Sequence, residues 1–205
     1  MASPLATLRQ GILRPQDARG IYKQPARYFF RWEKEGVLLK ISHGYYALVP
    51  ESERGTNWRP SIEAIALGIG QADYGRNEVA LMHLSAARIH AAIPRAVAVA
   101  VLAVPKQRPW METKFGRIFF IKRHVENLKR VQTETEFGNG WVTSIEQTVL
   151  DITKRLSLVA GMEAVSKDAV STLIQRADFK KMRVIAEKQR MKSTLIRIEN
   201  WDIDA

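Results

Sequence analysis

Few residues in this chain have the types and spacing that chemistry needs. Glu112-Thr113-Lys114 has the spacing of the carboxylate–lysine half of a metal-dependent nuclease site. Such a site needs a second acidic ligand on a neighbouring strand. The preceding apolar run, Ala96 to Val104, holds none, and the nearest upstream aspartate, Asp73, falls on or beside a helix. His83 and His90 stand seven residues apart with no acid between them. That is wider than the pair of a helical zinc site, so both are expected to be structural. Ser144 lacks a Gly-x-Ser-x-Gly elbow. Gly68 and Gly70 precede no Lys-Ser or Lys-Thr phosphate loop. Asp151 falls beside an apolar stripe, the place of a hydrogen-bonded structural acid. With no cysteine in the sequence, disulfides, thiolate metal sites and thiol nucleophiles are excluded. No enzyme, metal or cofactor is expected.

The chemistry that remains is recognition. Gln24, Arg27, Tyr28 and Arg31 recur at helical spacing on one side of the segment around Pro25 to Glu35. Outward Arg and Gln side chains there suit the edges of DNA bases, where bidentate donors discriminate. Lys23 and Lys34 flank them and suit phosphates, as do Lys40 and His43 on the hairpin that follows. The whole chain supports a polyanionic partner. Its 205 residues carry 32 Lys and Arg against 21 Asp and Glu, a net charge of +11, and its pI is near 10.1. Residues 1–48 hold eight of the cations against three acids. A second excess covers Lys106 to Arg130, eight cations to two acids, and Arg176 to Lys192, seven to two. If those segments meet in the fold they form a second basic surface, with Lys180, Lys181, Arg183, Lys188 and Arg190 on its principal helix. A merely solvated face reads equally well.

These residues need elements to hold them. At 46% hydrophobic and 26% charged, the chain can bury a core. Short helices are expected over 4–10, with Leu5 and Leu8, and over 15–20. Pro25 opens a third, closed by Gly36, with Ala26, Phe29 and Trp32 on its apolar side. Residues 37–41 and 45–49 read as strands joined at Ser42-His43-Gly44. Three helices and a hairpin make a winged helix-turn-helix over residues 1–50, fit to dock a recognition helix in the major groove. Residues 50–60, with two prolines and a glycine, read as a linker. Residues 60–205 then form a C-terminal α+β domain, a small sheet flanked by helices.

Within that domain, helices are expected over 61–72 and 77–92. The Ala96–Val104 run is apolar on both faces and reads as a central covered strand. Residues 117–123, 129–137 and 140–143 read as further strands, the last two joined at Gly138-Asn139-Gly140. Ser144 and Gln147 match a capping box, and helices follow over 161–175 and 178–190. Phe179, Met182, Ile185 and Ala186 are the inward residues expected of the second. No segment is long and apolar enough to span a bilayer, and Met1 to Leu5 does not resemble a secretory signal. A cytoplasmic protein without membrane partners is expected.

Three segments resemble one family. Glu35-Gly-Val-Leu-Leu-Lys-Ile-Ser-His-Gly-Tyr-Tyr-Ala-Leu48 resembles the wing of the AbiEi-type antitoxins, with its Gly-x-Leu strand and Gly-x-Tyr turn. Ser85-Ala-Ala-Arg-Ile-His90 resembles their Ser-Ala-x-x-x-His helix. Thr143-Ser-Ile-Glu-Gln-Thr-Val-Leu-Asp151 resembles their Thr-Ser-x-Glu-x-Thr-x-x-Asp segment. One departure matters: Ser42-His43 stands where the family often carries arginine before the wing glycine. The resemblance implies the antitoxin of a type IV toxin–antitoxin pair. Its winged helix would repress its own operon at double-stranded inverted repeats. Its C-terminal domain would counter a nucleotidyltransferase-like toxin, functionally and with or without stable direct binding. The alternative reading is a winged-helix transcriptional regulator whose C-terminal domain senses a ligand.

Overall fold

The computed structural model describes residues 11–201. The helix expected over 4–10 lies outside them. The architecture is α+β: seven α-helices and two sheets among the described residues. A three-stranded antiparallel sheet comes first. It is formed by β1 (Ile12–Leu13), β2 (Leu38–Ser42) and β3 (Tyr45–Leu48) in the order β1-β3-β2. A single 3-10 turn, Pro15–Ala18, and α1 (Pro25–Lys34) precede the β2–β3 hairpin. Proline at the first helical position opens α1, where its missing N–H costs nothing. Phe29 and Trp32 turn inward onto Leu13, Ala18 and Leu38, as their spacing predicts. Ala26 does not; it is exposed.

The larger sheet is mixed, in the order β6-β7-β5-β4-β9-β8. Its strands are β4 (Ala80–Leu81), β5 (Val99–Val104), β6 (Met111–Thr113), β7 (Gly116–Lys122), β8 (Arg130–Thr135) and β9 (Gly138–Thr143). β5 is central, and its period of two divides the core. Ala100, Leu102 and Val104 pack toward α2 (Ile62–Tyr74), while Val101 and Ala103 pack toward α3 (His83–Ile89) and α4 (Ile145–Lys154). Outside α3 and α4 lie α5 (Glu163–Ile174), α6 (Phe179–Lys188) and α7 (Lys192–Glu199). No helix among the described residues is long and apolar enough to cross a membrane.

Four local expectations are corrected. The helix expected over 77–92 is β4 followed by a short α3. Ala80 and Leu81 are captured between β5 and β9, and His83, at φ +55°, breaks any helix running through it. The β8–β9 turn falls at Glu136-Phe137 rather than at the glycines, because Phe137 is drawn into the core against Trp58. The capping box is half formed. Ser144 Oγ accepts from the Gln147 N–H, but the Ser144 N–H already donates to Lys129 O at 2.9 Å, so Gln147 bonds elsewhere. Phe179, expected inward, is exposed at the start of α6.

The chain on either side of residues 50–60 shares one core. Ile12, Ile41 and Ala47 join the cluster built on Ile65, Leu67 and Ile69 of α2. Gly68 permits this approach: a Cβ there would meet Ile12 Cγ1 at 2.7 Å. Polar contacts reinforce the join. Lys114 N–H donates to Ile41 O at 3.1 Å, and Ser42 Oγ donates to Glu112 O at 3.0 Å. Asp73, at the end of α2, accepts from Arg14 and Arg108 at 2.6 Å each and from the Tyr45 hydroxyl at 2.8 Å.

Candidate nucleic-acid interface

α1 presents two unlike sides because Phe29 and Trp32 fix one against the core. Phe29 meets Tyr46 edge-on at 5.2 Å and Trp32 at 5.7 Å. The other side borders an open groove of about 830 Å³ lined by Lys23, Gln24, Arg27, Tyr28, Arg31 and Lys34. The structure therefore brings six of the eight expected DNA-contacting residues to one concavity, which no acidic side chain lines. Arg31 approaches Glu35 at 3.5 Å, but both are well exposed. Such a pair is worth roughly 0.3–0.5 kcal/mol, below the ~1–3 kcal/mol of a bidentate base contact.

Tyr28 is less available than its neighbours. Its ring lies 4.5 Å from Tyr22 and 5.8 Å from Trp32, and it supports the Arg31 guanidinium at 5.3 Å. Lys40 and His43 do not join the group. Lys40 borders a separate concavity beside Glu33, Glu53 and Lys114, and His43 is exposed at the hairpin turn. Three groove residues escaped sequence reasoning: Ile21, Tyr22 and Phe30. Ile21 is 51% exposed and Phe30 56%, both lining the groove, with Lys34 Nζ 4.6 Å from the Phe30 ring centre. Phe30 lies three residues after Arg27, so helical spacing alone could have placed it there.

The other sequence candidates are accounted for locally. Glu112 is exposed on β6 and pairs with Arg117 at 3.2 Å, while Asp73 is held by its two arginines. His83 Nε2 lies 3.0 Å from Arg155 O, and His90 Nε2 lies 2.7 Å from Thr143 O. The second contact joins the Ser85–His90 and Thr143–Asp151 segments. Burial lowers the His83 pKa to about 4, so its ring is neutral at pH 7. Asp151 Oδ1 accepts from Arg123 at 2.8 Å and Gln147 at 3.2 Å. Burial pushes its carboxyl up, and Arg123 pulls against that shift.

On α6 and just beyond it, Lys180, Lys181, Arg183, Lys188 and Arg190 are all exposed. Lys181 pairs with Asp178 at 3.6 Å and Arg183 with Glu199 at 2.9 Å. The two basic stretches meet at their ends, where Arg123 Nη2 donates to Gln189 Oε1 at 3.0 Å. No protein-family model matches the chain, and no curated protein matches it significantly.

Proposed function

We propose that this chain is a DNA-binding antitoxin of the AbiEi type that represses its own operon. The carrying observation is the cationic, acid-free groove along α1, which a rigid aromatic core holds in place. In this reading residues 1–50 form a winged helix-turn-helix. α1 enters the major groove, and the β2–β3 hairpin is the wing. Gln24, Arg27 and Arg31 read base edges. Phe30 and Ile21 supply apolar contact of the kind a thymine methyl accepts. Lys23 and Lys34 hold phosphates, and Lys40 and His43 meet backbone beside the wing. Residues 60–205 counter a nucleotidyltransferase-like toxin, and the chain is not itself an enzyme.

Titrating the inverted-repeat DNA upstream of the gene at several salt concentrations tests the reading. Arg27→Ala should cost about 1–3 kcal/mol on that operator and relax preference at one base position. Lys34→Ala should weaken all sequences alike and reduce the salt slope by about one. Equal losses on operator and random DNA for Arg27→Ala would overturn base reading. Rescue of cells expressing the toxin tests the antitoxin half.

A further inference from the structure

A second cleft lies on the opposite side of the large sheet from α2, where β7, α4 and the end of α6 converge. Its volume is about 680 Å³, within the range of small-molecule sites. Five cations line it, Lys122, Arg123, Lys154, Arg155 and Lys188, against one acid, Asp151. Lys122, Lys154, Arg155 and Lys188 are exposed. Arg123 is anchored by Asp151 and Gln189. Leu158 and Met191 add apolar wall.

Two buried lining residues have unused acceptor atoms. Asp151 is 4% exposed, and its Oδ2 has no partner although Oδ1 has two. His83 is fully buried. Its Nε2 faces a carbonyl, which only accepts, so the proton sits on Nε2 and Nδ1 is an acceptor. Nδ1 too has no partner. Buried acceptors left without donors are costly and rare in folded proteins. Neither atom opens onto the cleft, so the accessible lining asks for two things: anionic oxygens for the cations and an apolar ring face for Leu158 and Met191.

We infer that this cleft binds a nucleotide, with its phosphates on Lys154, Lys188 and Arg155 and its base against Leu158 and Met191. The inference does not depend on DNA reading by α1. It gives residues 60–205 a ligand that can act on either the antitoxin or the regulator reading.

Calorimetric titration of the full chain with the four ribonucleoside 5′-diphosphates, and separately with inorganic phosphate, tests it. At least one diphosphate should bind saturably below about 1 mM. Lys154→Glu with Lys188→Glu should weaken that nucleotide and inorganic phosphate alike, by about tenfold or more, without lowering the melting temperature. Leu158→Ala should weaken the nucleotide and spare inorganic phosphate, because it removes only apolar wall. Absence of saturable binding by all four nucleotides would overturn the inference, as would binding indifferent to the double charge reversal. Tighter binding of a single-stranded oligoribonucleotide than of every free diphosphate would replace the small ligand with RNA.

Discussion

His83 couples the fold to pH. Its imidazole is buried, neutral and held by a backbone carbonyl, and its folded pKa of about 4 lies below the ordinary imidazole value of about 6.5. A depressed folded value means the unfolded chain takes up the proton first. The stabilisation is therefore complete above pH 6.5 and is lost as pH falls toward 4. The loss is about 3 kcal/mol. Glu63 and Asp151 shift the other way, raised by burial, so their contributions are present at low pH and fade as pH rises. Denaturant titrations at pH 7 and pH 4.5 should show the acid loss, and His83→Gln should flatten it; an unchanged slope in that variant would remove His83 as the cause. At this scale the sequence was informative where spacing alone decides. Phe29 and Trp32 are three apart and both are buried. The neutral state of His83 was not legible, because it comes from burial, which only the packed fold supplies.

Elements that carry their own periodicity were legible, and elements made by a partner were not. β5, with its run of valines and alanines, is legible as a covered central strand. β4 has two residues, and only its neighbours make it a strand. β6 is similar: three residues, Met111 to Thr113, pairing with β7 across a turn. That turn depends on Gly116, at φ +138°, where a Cβ would strike the Ala98 backbone. Gly116→Ala should cost about 3 kcal/mol of stability. Gly20→Ala, where a Cβ meets nothing within 4 Å, should stay within about 0.5 kcal/mol. Thermal melts of the two variants make the comparison, and equal melting temperatures would show that the β6–β7 turn relaxes freely.

The whole molecule is tied together at Asp73, with 12% of its side chain exposed. One carboxylate takes Arg14 and Tyr45 from the N-terminal segment and Arg108 from the loop before β6. The sequence placed Asp73 near a helix but could not show these partners, which lie 28 to 59 residues away. Asp73→Asn keeps the shape and removes the charge both arginines need, so it should cost about 3 kcal/mol. With Ile12, Ile41 and Ala47 in the core of α2, unfolding of the full chain should be one cooperative transition. Two resolved transitions by calorimetry would show that residues 1–50 and 60–205 melt independently.

The two-residue strand β4 also sets the order in which the chain can be completed. It joins β6-β7-β5 to β9-β8, and its bond to the second group is the parallel pairing of Leu81 with Val142. A chain growing from its N-terminus makes β4 some sixty residues before the strand that covers its far edge. Until then Leu81 lies on an open sheet edge, and the α2 surface that receives Phe137 stays bare. Such non-local closure is slow. The half-synthesised protein is therefore its most aggregation-prone form, and translation must pass residue 142 before the sheet can protect itself.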